Sequence, residues 1–311
     1  VRPLAPTLVL VLALFVTAGP SAADVPAPPP TAVTLAPGGI PPSQQESNGY
    51  DFAAGGEALS TVATQHVAPG LKLTNFQRLE DTGWNRGNVL TADLSEPTLS
   101  MDVRNTGKVA GIGTLSSQMT GTGAVAGINA GFYDMNASGA PVGLAKSRAG
   151  LQNARFGSDP TLSMAGAKAA IGELTSGGAV TIDGIEHDLA GFNTPSLPTG
   201  GIGVYTQAWG DYTLDRPVGG PGNVSPEIAR ANVVDGVVTA VADRAGAPAV
   251  PDGGQVLLGR EAGARVVRGL AVGDRVDVAV GLAEDADWAV SGNVQLVVDG
   301  KVGPGIGNDG V

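Results

Sequence analysis

Gly127–Gly157 reads GINAGFYDMNASGAPVGLAKSRAGLQNARFG, and it is the densest run of chemically capable residues in the chain. Small residues, two aromatics and polar side chains are packed together in it. Gly131, Gly139 and Gly143 permit close backbone approach or positive φ, while Phe132 and Tyr133 can wall off the carboxylate of Asp134. The pattern suits a pocket; it equally suits an ordinary strand followed by a Gly/Pro/Asn turn. Either way the stretch is strand and turn, not helix, with Ala124–Asn129 as the buried strand that leads into it.

Working outward, the same punctuation continues in both directions. Upstream, Leu71–Leu79, Asn88–Leu94 and Thr98–Val103 read as short strands, and in Leu99-Ser100-Met101-Asp102-Val103 the alternation puts Leu99, Met101 and Val103 on one face. A short helix is predicted over Leu115–Met119. Downstream, Asp159–Leu174, Gly178–Ile185, Ile202–Trp209, Glu227–Ala242, Gln255–Leu258, Ala264–Val267, Arg275–Val280 and Asn293–Val298 are further strand candidates. Phe192–Gly201 and Asp211–Ser225 are connections, and Asp183-Gly184, Asp235-Gly236 and Asp299-Gly300 are predicted turns. No fixed-period repeat stands out. The fold class expected is α+β: a β-rich mixed domain with short helices.

Composition agrees. With Gly 48 and Pro 22 among 311 residues and only 15% charged, the chain favours many turns between short strands over long solvated helices. The beginning stands apart. Arg2, the apolar run Leu4–Ala18 and Ser21-Ala22-Ala23 form the three parts of a secretory signal peptide, so residues 1–23 are read as a leader cleaved after Ala23 and the product as secreted. That apolar run is too short to span a bilayer, and no later segment predicts a transmembrane helix. Residues 24–48, with Pro28-Pro29-Pro30 and Pro41-Pro42, form a Pro-rich linker, leaving 49–311 as the domain.

The net charge of −11, taken to −12 by loss of the leader's single Arg, argues against nucleic acid as a partner. Zero cysteines removes disulfides and thiol chemistry. Gly121-Thr122-Gly123-Ala124-Val125-Ala126 matches part of a dinucleotide-binding pattern, yet a strand follows it where that site needs a helix. With only His66 and His187, neither a histidine-rich metal centre nor a Ser-His-Asp triad is supported. Neighbours on a strand face opposite ways, so Glu186-His187-Asp188 reads as a solvated hairpin. Trp84, Trp209 and Trp288 are too scattered for a sugar-stacking platform.

The runs Gly127-Ile128-Asn129-Ala130-Gly131-Phe132-Tyr133 and Gly150-Leu151-Gln152-Asn153-Ala154-Arg155-Phe156-Gly157 resemble the phosphodiester glycosidase family. A fainter similarity continues at Ser291–Lys301, and the stretch 175–287 looks like a β-rich insertion. The resemblance implies a secreted hydrolase that cleaves the sugar–phosphate bond of a glycosyl phosphodiester, either one like an N-acetylglucosamine 1-phosphodiester or a cell-surface polymer. The catalytic residues expected from it are Asp134, as the carboxylate facing the transition state, and Asn129; Tyr133, Arg148, Gln152 and Asn153 are expected to bind substrate. The residues identify no cofactor for certain, and Asp134 and Asp159 suit a divalent cation if folding gathers enough oxygen ligands around them. The family's later Arg-Thr-Ala and Asn-Leu-Asp-Gly-Gly-Gly segments find no counterpart before Val311, so the domain is expected to be C-terminally incomplete. A secreted, non-catalytic carbohydrate- or wall-polymer-binding protein on the same scaffold is the alternative.

Overall fold

The computed structural model describes residues 12–18, 51–52, 58–80, 83–220, 225–246 and 250–303. The cleavage site, the whole of the linker and the last eight residues lie outside them. The chain is β-rich, with two short α-helices among the described residues.

Strand β1 is Leu12–Ala18, within the run read from sequence as the core of a leader. Strands β2 (Asp51–Phe52), β3 (Ala58–Ala68), β4 (Leu71–Glu80) and β5 (Gly83–Ala92) form an antiparallel meander in sequence order. They belong to the smaller of two compact units, residues 16–101 with 123–125. The sequence predicts the β4 strand almost to the residue, and sets β5 several positions too late.

Next come β6 (Leu99–Arg104), helix α1 (Leu115–Met119) and β7 (Ala124–Ala130). Helix α1 falls where the sequence puts it, because the Thr114 hydroxyl accepts the Ser117 N–H at 3.1 Å and caps it. Strand β1 lies between β6 and β7 in a three-stranded sheet.

The larger unit comprises residues 1–15, 102–122 and 126–311. Its strands are β8 (Ala145–Ser147), β9 (Gly150–Arg155), β10 (Gly157–Ala165), β11 (Lys168–Ile182), β12 (Ile185–Asp188), β13 (Gly191–Phe192), β14 (Ile202–Thr206), β15 (Ile228–Val234), β16 (Val237–Ala242) and β17 (Gly254–Arg260). Helix α2 (Ala262–Arg268) and strands β18 (Val276–Leu282), β19 (Trp288–Ser291), β20 (Val297–Val298) and β21 (Lys301–Val302) follow. One sheet runs β12-β11-β10-β19-β8-β9-β13-β14-β17-β15-β16, with β18 joining it along β11.

Strand β11 runs unbroken through Gly177-Gly178, where the sequence predicts an interruption. It changes partners there: β10 pairs with it up to Gly157↔Ser176, and β18 takes over from Ser176↔Leu282. The paired backbone keeps both glycines extended. The stretch read as an insertion therefore leaves and returns along adjacent strands, closed by the Ala283 N–H donating to Thr175 O at 2.9 Å.

Ala264–Val267, predicted as strand, is instead the middle of α2. Gly263, Ala264 and Val267 are its buried residues, a helical spacing that a four-residue apolar run cannot distinguish from strand. Asn293–Val298 also shrinks, to the two residues of β20 in a small hairpin with β21. The turns fare better. Asp183-Gly184, Asp235-Gly236 and Asp299-Gly300 each take positive φ at both residues, as a two-residue hairpin turn demands.

Among the apolar clusters of this unit, two surround the central sheet strands. One gathers Val204, Ala231, Val233, Leu257, Ala264 and Val267, sealing α2 onto β14, β15 and β17. The other contains Leu197, Tyr205, Trp209, Leu214, Val218 and Leu258. Within it the Tyr205 and Trp209 rings meet edge to face at 5.4 Å. Burial pushes the Tyr205 hydroxyl far above the ordinary tyrosine range, and it donates to Thr194 O at 3.0 Å. Val218 and Leu214 root the short 3₁₀ turn Arg216–Val218 in this second cluster, which fixes where Arg216 can reach.

Candidate functional site

The residues between β7 and β8 fold back as a short hairpin. Tyr133 bridges Pro141, the Asp134 N–H donates to Ala140 O at 2.8 Å, and the Val142 N–H donates to Phe132 O at 2.9 Å. Its interior is polar. Asp134 is buried; its Oδ2 accepts the Ser138 N–H at 3.1 Å, the Ser138 hydroxyl at 2.6 Å and Arg216 Nε at 2.9 Å, while its Oδ1 accepts Arg216 Nη2 at 2.5 Å. Burial works against the charged carboxylate. The hydrogen bonds from Arg216 and Ser138, with the Arg216 charge, outweigh it and hold Asp134 below its usual range. In return Asp134 raises Arg216 above the ordinary arginine value.

Asn153 holds the far side of the hairpin. Wholly buried on β9, it donates through Nδ2 to Pro141 O at 3.0 Å and to Gly143 O at 2.5 Å. Gly143 must be glycine, because a Cβ there would sit 1.9 Å from Ser291 Oγ on β19. Thus Asn153, from the second run that carries the family resemblance, holds the Pro141–Gly143 backbone, and Pro141 in turn bridges Tyr133 of the first run.

Gln152, one residue earlier on β9, turns the other way. It lines a cavity of about 580 Å³ together with Asp102, Arg104, Asn105, Ile112 and Ser147. That volume is in the range of a small-molecule site. Asn105 Nδ2 donates to Gln152 Oε1 at 2.8 Å, making a bridged amide pair on the wall. Asp102 Oδ1 accepts two backbone N–H groups, from Val103 and Arg148, each at 2.8 Å, which leaves Oδ2 uncommitted.

Of the six site residues expected from sequence, Gln152 lines this cavity. Arg148 does not line it; its backbone N–H donates to Asp102, which does, and its exposed side chain reaches Asp287 at 3.4 Å. Asn129 is exposed on β7, and Tyr133 is half-buried in the hairpin. Asp134 and Asn153 are interior clamps, their polar atoms turned to protein. Gln152 and Asn153 therefore do not read one ligand side by side. Sequence reading missed Arg216, Asp102 and Asn105. Arg216 lies 82 residues from Asp134, inside a Gly/Pro-rich connection that carries no periodic signal.

Among the described residues no group of three or more His, Cys, Asp or Glu side chains converges as a metal site. Asp134 has its lone pairs filled as above, and Asp159 Oδ1 accepts Arg155 Nη2 at 3.1 Å. Nor is any helix among them long and apolar enough to cross a membrane.

No family model and no curated protein matches the chain. Solved structures do. A hypothetical protein from Synechocystis superposes with a TM-score of 0.57 at 19% identity, over 79% of this chain and 44% of that one. A protein from Burkholderia pseudomallei K96243, described by its predicted export, gives a TM-score of 0.58 at 15% identity, over 82% of this chain and 76% of that one. The chain thus spans less than half the length of the Synechocystis protein. At these identities the likeness establishes a shared fold.

Proposed function

We propose that the protein is a secreted phosphodiester glycosidase, a hydrolase that cleaves the bond between a sugar's anomeric carbon and the phosphate of a glycosyl phosphodiester. The observation that carries this reading is the cavity beside β9, where the bridged Asn105–Gln152 amide pair, Asp102 and Arg104 line one space. Asn105 and Gln152 suit sugar hydroxyl or acetamido groups, and Arg104 suits the phosphate.

The chemistry needs modest acid help, since a phosphate monoester leaves readily. Water adds to the anomeric carbon as the carbon–oxygen bond to phosphate breaks, the electron pair leaves with the phosphate, and the water's proton passes to Asp102 Oδ2. The same carboxylate stabilises the oxocarbenium-like transition state. In this reading Asp134 is a positioning residue. Its charge orients Arg216 and fixes the hairpin that backs the site.

The test is sugar release from an N-acetylglucosamine 1-phosphodiester by the purified full-length protein. Release that falls at least tenfold in Gln152→Ala supports the reading; no release by the wild type overturns it. The alternative, a non-catalytic carbohydrate binder, draws on the same amide-lined wall, and glycan binding without product would select it.

A further inference from the structure

The hairpin Phe132–Val142 is built inside out. Its polar residues Asp134 and Ser138 are buried, whereas Phe132, Met135 and Val142 are 64%, 54% and 39% exposed. An exposed apolar group beside buried polar ones is the informative inversion of the usual pattern. The arrangement is held in place, because the Arg216 and Ser138 bonds to Asp134 prevent the loop from turning its apolar side chains inward.

The face is also uncharged. From Gly127 to Gly143 the only residue of the Asp, Glu, Lys, Arg and His types is Asp134, which is buried and paired, in a chain whose net charge is −11. Phe132 and Val142 stand opposite each other across the hairpin, next to the bridged pair Tyr133 and Pro141. Ile112 links the hairpin to the cavity. Ile112, 53% exposed, lines the cavity and also packs against the hairpin, its Cγ1 only 2.6 Å from where a Cβ on Gly139 would stand.

A cavity with polar side chains on its wall and the exposed Ile112 beside a hairpin whose outer face is apolar and charge-free fits a ligand with both characters. We propose that the phosphodiester substrate is an amphiphile: its sugar and phosphate occupy the cavity, and a hydrocarbon chain on the other phosphate oxygen lies across Ile112, Met135, Phe132 and Val142. This rests on the glycosidase reading and adds the chemical class of the second ester group.

The experiment compares two probes below their micelle-forming concentrations, N-acetylglucosamine 1-(methyl phosphate) and N-acetylglucosamine 1-(decyl phosphate), on the full-length protein. Burial of several methylenes predicts kcat/KM about tenfold or more higher for the decyl ester. In Met135→Ser/Val142→Ser the decyl-to-methyl ratio should fall to within about threefold of unity. Equal turnover of both esters by the wild type, or a ratio untouched by the double substitution, overturns the proposal and leaves the glycosidase reading standing. If neither ester is hydrolysed, the glycosidase reading falls. Calorimetric affinities of the same two esters then decide the hydrocarbon claim: tighter decyl binding that the double substitution removes supports it, and equal or absent binding overturns it.

Discussion

The sheet β14–β17–β15 and the hairpin Phe132–Val142 belong to the same unit and solve opposite problems. In the sheet every residue from Ile202 to Tyr205 is buried, as are Val256, Leu257 and Leu258, and the apolar side chains of α2 complete the layer. In the hairpin the interior is a carboxylate, a hydroxyl and a guanidinium, and the large apolar residues are outside. The first is stabilised by area removed from water, which is non-directional and tolerant of detail. The second depends on a few directed hydrogen bonds, each of which is strong only while its partner is present.

That contrast can be broken most severely in the sheet. Leu257→Ala, at a fully buried position, is expected to cost about 2–5 kcal/mol and to lower the midpoint of denaturant unfolding without altering what the cavity binds. Next is the hairpin clamp. Asp134→Asn removes the charge from a pair whose arginine is 36% exposed at its side chain, so about 2–3 kcal/mol is expected, not the larger value of a fully desolvated pair. The pH dependence follows from the lowered pKa: the stabilisation is fully present above the ordinary aspartate value of 3.8 and is lost as pH falls through the depressed folded value. Melting curves of wild type and Asp134→Asn should accordingly differ at pH 6 and converge in strong acid. The smallest effect belongs to the hairpin's outer face, where Met135→Ser should leave the melting temperature nearly unchanged, within about 0.5 kcal/mol. A large loss there would mean that Met135 is not the exposed residue the inversion requires.

The same contrast explains what was legible in the sequence. Sheet strands carry their signal locally: Asp235-Gly236 marks the β15–β16 turn, and Ile202–Trp209 reads as a strand, which forms over Ile202–Thr206. Local signals failed where partners decided the outcome. Gly177-Gly178 stays extended because β18 pairs alongside it, and Ala264–Val267 is helical because it lies over β15 and β17. At the candidate site the stretch singled out from sequence supplies Gln152 to the cavity wall and Asn153 to the hairpin, a division the sequence does not make. Strand alternation separates Gln152 from Asn153, but which of them meets the cavity depends on Asn105, 47 residues away. Asp134 reads from sequence as a carboxylate free for chemistry. Its partner, Arg216, is brought by the Trp209–Val218 cluster, which no local pattern around Asp134 encodes.

The central claim is that Asp134 holds the site and Asp102 serves it. The most direct measurement is kcat for Asp102→Asn and Asp134→Asn on the same N-acetylglucosamine 1-phosphodiester, at a temperature where circular dichroism shows both folded. The account predicts that Asp102→Asn loses about 100-fold or more in kcat, whereas Asp134→Asn loses far less and regains activity on cooling. A folded Asp134→Asn variant that is as inactive as Asp102→Asn, with no recovery on cooling, would contradict it.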